Sequence, residues 1–323
     1  VELEPGANAT ADFILELTPI HQSVTVTASG RHETTFEAVQ TVTSLEAFDI
    51  AEAIAPSIGE VLDGQPGVAK RSSGPGSARP IIRGFDGDRV LVMRDGMRVG
   101  SLGSQSSDHG EPIDPISLER LEVVKGPATL LYGSNAIGGV VNAITRHHEM
   151  HKHRHEGLRG QLSGAVGSNN GLFGGGGFAE YGVGNWMLWG GGGAQRTGDY
   201  SSAEGIVENS KARVANVSAG LGWFDPRGYL SFGYNFAEGR YGVPSAEERH
   251  SHGGHDHPEE EMEEEEHEEI EAVDVAWDHH NMRLTGGFQE LDSFVKAIRL
   301  SLNYSLWQHD ELEQLASGLE AVS

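Results

Sequence analysis

Residues 119–142 read ERLEVVKGPATLLYGSNAIGGVVN, and the punctuation inside them decides the fold. The apolar run 121–124 is stopped by Gly126 and Pro127, and a second run, 140–145, starts after Gly138 and Gly139. Apolar runs bounded in this way predict two strands. The connecting ATLLY is too short for an independent helix and too apolar for an open loop, so it is expected to pack on a small core. Tyr132 and Gly133 then form a tight bend.

Upstream, residues 90–93 and 97–99 are apolar runs joined across Arg94-Asp95-Gly96. An Asp-Gly pair between such runs predicts a hairpin, because both central positions of the favoured turn need positive φ. Within residues 53–64 a short helix is expected. Ser57 and Glu60 have capping-box spacing, Ile58, Val61 and Leu62 share a face, and Gly64 is placed to end it.

These segments together resemble the plug domain of TonB-dependent outer-membrane receptors. Glu122 to Pro127 fits the strand ending E-x-V-x-G-P, Tyr132-Gly133 the Y-G segment, and Gly138 to Asn142 the strand G-G-V-V-N. Ser57 to Val68 fits the first plug helix, S-I-x-E-x-L-x-x-x-P-G-V, and the R-G and D-G marks stand at Arg83-Gly84 and Asp95-Gly96. The resemblance implies an α+β plug over residues 36–146, held inside a transmembrane β-barrel of about 22 strands in the outer membrane of a Gram-negative bacterium. Its implied partner is the TonB energy-transducing complex, and its implied activity is import rather than catalysis.

Composition sets compatible limits. With 323 residues there is room for two domains, and no apolar run approaches the ~18 residues that a spanning helix needs. Forty-five glycines and no cysteine fit a β-rich envelope protein that does without disulfides. A formal charge of −25 repels polyphosphate, which excludes nucleic acid as a partner and favours a cationic one. There is no nucleophile elbow, phosphate loop or HExxH pair, so an enzyme is not expected.

From Gly157 onward the pattern alternates with period two, as in Leu158, Leu162 and Val166, then Leu230 and Phe232, then Ile298, Leu300, Leu302, Tyr304 and Leu306. Apolar and polar faces over lengths near ~9–11 residues predict a membrane barrel wall embedded in outer-membrane lipid. Trp186, Trp189, Trp223 and Tyr229 are expected to form its interfacial girdle. About seven strands are expected over residues 157–323, with periplasmic turns at 184–185, 225–228 and 291–293. Extracellular loops are expected at 197–215 and 245–278. Seven strands cannot enclose a plug, so an incomplete receptor with open strand edges is expected.

Residues 1–20 resemble the tail of a β-sandwich that precedes some plugs, or another N-terminal extension. Within residues 21–35, Ser23, Val24, Thr25, Val26, Thr27 and Ala28 resemble a TonB box, whose free strand edge a partner can extend by main-chain pairing. An ordinary edge strand is the alternative.

Cargo is read from the histidines. Residues 100–114 are polar and glycine-bearing and predict an exposed apical loop. Adjacent Asp108 and His109 both offer zinc ligands there, and further ligands must come from elsewhere. The tract Ser106 to His109 resembles the plug ligands of zinc-importing receptors; otherwise Asp108 caps the loop and His109 faces solvent. The hinge 147–156 holds His147, His148, His151, His153 and His155, either a metal relay or a solvated basic linker. The outer loop places His250, His252, His255, His257 and His267 among twelve glutamates over residues 247–271. A block of like charge is ordinarily solvated, yet histidine interleaved with carboxylate suits borderline divalent metals. The expected function is TonB-dependent import of a divalent ion, zinc first and nickel or cobalt next, with no resident cofactor. A ferric chelate or cobalamin receptor of the same architecture is the alternative, and a non-transporting surface metal-binding protein is the alternative of another class.

Overall fold

The structure, a computed structural model, describes residues 40–53, 55–99, 106, 108–145, 154–244, 270–288, 294–315 and 320–322. The expected N-terminal extension, the TonB box, the histidine-rich outer loop, the turn at 291–293 and four of the hinge histidines lie outside them.

In chain order the first part contains β1 (Thr41–Glu46), α1 (Ala47–Ala53), α2 (Ile58–Leu62), β2 (Val68–Arg71), β3 (Arg79–Ile82), β4 (Val90–Arg94), β5 (Met97–Arg98), β6 (Leu118–Lys125), α3 (Thr129–Tyr132) and β7 (Gly139–Thr145). Its main sheet runs β1-β6-β7-β4-β5, with β4 and β7 parallel and the other neighbours antiparallel. The two strands read from residues 119–142 are its centre. Every residue of β7 is buried, as are all but one of β6. That double burial explains the near-continuous apolar wording, and Arg120 Nε, 2.9 Å from Glu122 Oε1, neutralises the one acid enclosed there. Ile58, Leu62, Ile82, Leu121 and Val141 close the core on one face.

The hairpin forms as expected, with Asp95 at φ 52° and Gly96 at φ 78°. Asp95 also reaches back across the sheet. Its carboxylate accepts from Thr145 N and Thr145 Oγ1, each at 2.8 Å, while Asn142 Oδ1 accepts from Gly96 N at 2.9 Å.

The short helix expected within residues 53–64 forms as α2, starting at Ile58; α1 ends before it at Ala53, because Pro56 lacks an amide hydrogen and disfavours a helical residue before it. Ser57 does cap α2, accepting from Glu60 N at 3.5 Å, and Gly64 takes φ 85°. The ATLLY segment does not pack as a whole. Ala128 and Ala136 are buried, but Leu130 and Leu131 are exposed on the single turn of α3, whose ends are fixed by β6 and β7.

Gly59 carries the closest approach of α2 to β3, since an added Cβ would lie 2.3 Å from the Ala78 carbonyl carbon. Gly59→Ala is therefore expected to destabilise the plug by about 1–3 kcal/mol, the range for overpacking. A urea midpoint unchanged from wild type would contradict that placement.

The second part is an antiparallel wall: β8 (Gly157–Gly167), β9 (Leu172–Val183), β10 (Trp186–Thr197), then a small hairpin of β11 (Tyr200–Ser202) and β12 (Gly205–Val207). After it come β13 (Ala212–Asp225), β14 (Gly228–Val243), β15 (Ile270–Phe288), β16 (Ile298–Leu315) and β17 (Glu320–Val322). The order is β17-β16-β15-β14-β13-β10-β9-β8, and neither edge strand has a partner on its outer side among the described residues. Seven strands are long and the eighth is three residues. The expected loops are shorter than read. Residues 212–215 belong to β13 and 270–278 to β15, because the strands continue past the ~9–11 residues that cross lipid.

One cross-strand row, Leu158–Tyr181–Leu188–Leu221–Phe232–Leu284–Leu302, fixes which face is apolar and outward. Trp186 and Trp223 lie on that face, paired with each other. Trp189 does not: an offset of three residues from Trp186 turns it inward, where it is 5% exposed beside Met187 and Phe224. Tyr229, paired with Phe224, is inward too. The girdle expected from four aromatics thus rests on two.

Candidate metal site between plug and wall

The apical plug loop is held against the wall by Tyr241 of β14. Its hydroxyl accepts from Gly110 N at 2.8 Å and donates to Asp108 O at 2.9 Å. That clamp fixes the backbone on either side of His109. Asp108 Oδ1 lies 3.1 Å from His109 Nδ1, and Ser106 Oγ donates to the same oxygen. Burial pushes the Asp108 carboxyl up, but hydrogen bonds from Ser106 and His109 outweigh it and hold the group below its ordinary value.

With Nδ1–H donating to Asp108, Nε2 of His109 presents a lone pair to the wall. There it meets His309 Nε2 at 3.0 Å and Glu311 Oε1 at 3.1 Å, which are 3.8 Å from each other. Tetrahedral zinc, with bonds of ~2.0–2.2 Å, sets its ligand atoms about 3.3 Å apart, so these three atoms have the separations of one coordination face. Asp108 takes the orienting place behind the imidazole that carboxylates commonly take at metal-bound histidines. The ring of Trp307 stacks on His309 with centroids 5.1 Å apart and planes at 9°. The chemistry available is reversible capture of a borderline divalent cation by two neutral imidazoles and a carboxylate, with one position open. No comparable group of three occurs elsewhere among the described residues.

Sequence reasoning reached Asp108 and His109 and required further ligands, but it did not name them. His309 and Glu311 stand two apart on β16, which puts both on one strand face; the spacing was the available signal. His155 is not at this site. It is buried, 3.9 Å from Glu180 of β9, at the end of the wall carrying the short turn Gly184-Asn185, to which Arg154 donates. His147, His148, His151, His153, His250, His252, His255, His257 and His267 lie outside the described residues.

Three further contacts seat the plug. Arg94 Nη2 donates to Asn235 Oδ1 at 2.6 Å, Arg283 Nη1 lies 3.4 Å from Asp95 Oδ2, and Asn216 Nδ2 donates to Asp114 Oδ2. Asp114 is fully enclosed. Burial pushes its carboxyl up to about 6, against the Ile116 amide, Arg94 and Asn216, which pull it down. An acid raised on folding adds stability that is complete below its unfolded value near 3.8 and is lost as pH rises through about 6. The seated plug is thus expected to lose about 2 kcal/mol between pH 4 and 7, and Asp114→Asn to flatten that slope. Identical pH profiles of the unfolding midpoint would contradict it.

Comparison with known proteins agrees with this architecture. Residues 34–140 match the TonB-dependent Receptor Plug Domain family. Over 127 residues the chain is 39% identical to the vitamin B12 transporter BtuB of Vibrio vulnificus, covering 39% of this chain and 21% of that protein. The hemin receptor of Yersinia enterocolitica is 36% identical over 128 residues, 39% of this chain and 18% of the relative. The chain therefore spans about a fifth of the length of these relatives. Among solved structures, the copper transporter OprC superposes with TM-score 0.64 at 19% identity, covering 84% of this chain and 38% of that one. The ferric-catecholate receptor Fiu of E. coli K12 gives 0.64 at 17%, covering 90% and 42%. Residues 34–140 thus carry the TonB-dependent receptor plug domain, and the strands after it have the fold of part of the barrel wall of such receptors, which are proteins of the Gram-negative outer membrane.

Proposed function

We propose that the chain is the plug-bearing part of a receptor that imports a metal-bearing cargo across the outer membrane with energy from TonB, and that the metal is engaged directly by His109, His309 and Glu311. The observation carrying this reading is the convergence of those three ligand atoms, one from the plug and two from the wall. A site shared in this way is undone when the plug shifts, so capture and release follow from one movement. Zinc suits two imidazoles and a carboxylate, and the absence of cysteine disfavours copper(I). Residues 23–29 are the proposed TonB-binding segment, and the histidine-rich loop the proposed collector.

The second reading is a ferric chelate or cobalamin receptor. The relatives named above favour it over zinc: they are named for vitamin B12 and hemin, and the solved neighbours for ferric chelates and copper. In that reading the three side chains touch the periphery of a chelate whose metal is already sheathed. Calorimetric titration of the complete receptor with Zn²⁺, a ferric catecholate and cobalamin separates the two. Zn²⁺ binding with no response to either chelate supports the first; chelate binding that persists in His109→Ala supports the second.

A further inference from the structure

The outward face of the wall carries an arginine ladder at the height where its apolar surface ends. The register aligns Val166, Phe173, Arg196, Arg213, Arg240, Ala276 and Asp310 in one cross-strand row. Arg196, Arg213 and Arg240 are therefore direct neighbours on β10, β13 and β14. Like charges placed opposite one another destabilise a sheet, so such a row calls for an anion. Arg240 is partly committed, with Nε 2.8 Å from Asp274 Oδ2. Arg196 and Arg213 are exposed and make no side-chain hydrogen bond or ion pair among the described residues. Ala276 of that row, with Ala194 and Ala215 in the next outward row below, floors a groove of about 620 Å³ along the outer surface. Glu238, Asp278 and Asp310 occupy its β14–β16 end, which directs an anion to the opposite end, beneath Arg196 and Arg213.

Position decides what kind of anion. Along β13 the outward residues below Arg213 include exposed Val217, Leu221 and Trp223. Ten residues separate Arg213 from Trp223. At ~3.4 Å per residue and a tilt near 40° that span rises about 26 Å, the height of the apolar band of an outer-membrane barrel. With Trp223 at the lower interface, the ladder stands at the upper one. Arg196 also adjoins exposed Phe173 and Val166 in its own row. Guanidinium forks recognise phosphate, and the apolar surface beneath them suits the chains attached to it. We propose that Arg196, Arg213 and Arg240 bind the phosphate-bearing headgroup of an outer-leaflet lipid whose acyl chains lie along β10 and β13.

This inference rests on the outer-membrane reading but not on the cargo. The test uses the complete receptor reconstituted with bisphosphorylated lipid A, its dephosphorylated form, or inorganic phosphate, with retained lipid read by native mass spectrometry. Wild type is expected to prefer the phosphorylated lipid by about tenfold or more, Arg196→Gln with Arg213→Gln to lose that preference, and the double Lys variant to keep most of it. Retention unchanged in the Gln variant overturns the proposal, as does full displacement by millimolar inorganic phosphate, which would mark a bare anion site. Heat-modifiable migration reports barrel insertion separately. A wild type that inserts but shows no preference overturns the headgroup site alone; one that does not insert overturns the membrane reading and this site with it.

Discussion

His309→Ala in the complete receptor is expected to weaken Zn²⁺ binding by about 100-fold or more, because it deletes a ligand outright, whereas losing an orienting partner such as Asp108 costs about 10–100-fold. The three ligand atoms lie within 3.8 Å of one another, so no single replacement leaves the remaining pair with the geometry of the set. Glu311→Gln keeps the shape of the side chain and removes its charge, and is expected to fall between those two losses. Asp108→Asn should retain the fold of the loop, since Tyr241 clamps it through backbone atoms. Isothermal titration of the four proteins checks the order. Equal affinities in wild type and His309→Ala would remove β16 from the site and return the ion to the histidine-rich loop.

The second large effect is expected at Asp95. Its carboxylate accepts two hydrogen bonds from Thr145 and faces Arg283 of β15, with Asp95 and Arg283 side chains 6% and 11% exposed. Asp95→Ala removes the acceptor of the Thr145 amide and the charged partner of Arg283, which still donates to Asp95 O at 3.1 Å, and breaking a buried pair from one side costs about 3–5 kcal/mol. Asp95 also sits at φ 52°, where alanine is strained. The loss should appear as an earlier unfolding step of the plug, while the heat-modifiable migration of the barrel stays intact. Asp95→Asn, which keeps an acceptor for Thr145 N, should lose less. A plug transition unchanged in Asp95→Ala would show that the hairpin tip does not seat the plug.

How far the sequence reached follows the physics of each segment. Strands β6 and β7 were legible because double burial leaves an apolar run cut by Gly and Pro, and the Asp95-Gly96 turn because its backbone demands positive φ. Period two gave the wall, but not the sidedness of Trp189, where counting residues from Trp186 would have sufficed. The helix α1 was missed since Ile50 alone is buried on it and Phe48 is exposed, which leaves no apolar stripe to read. At the site, adjacent Asp108 and His109 were visible as a pair. Their partners lie 200 residues onward, and proximity across that distance is written in the packing of plug against wall rather than in any local pattern.

X-ray absorption at the zinc edge of the complete receptor, loaded with less than one equivalent of Zn²⁺, tests the bridging site most directly. A first shell of nitrogen and oxygen at ~2.0–2.2 Å with two imidazoles is expected, one of which disappears in His309→Ala. A spectrum that is the same in wild type, His109→Ala and His309→Ala would contradict it.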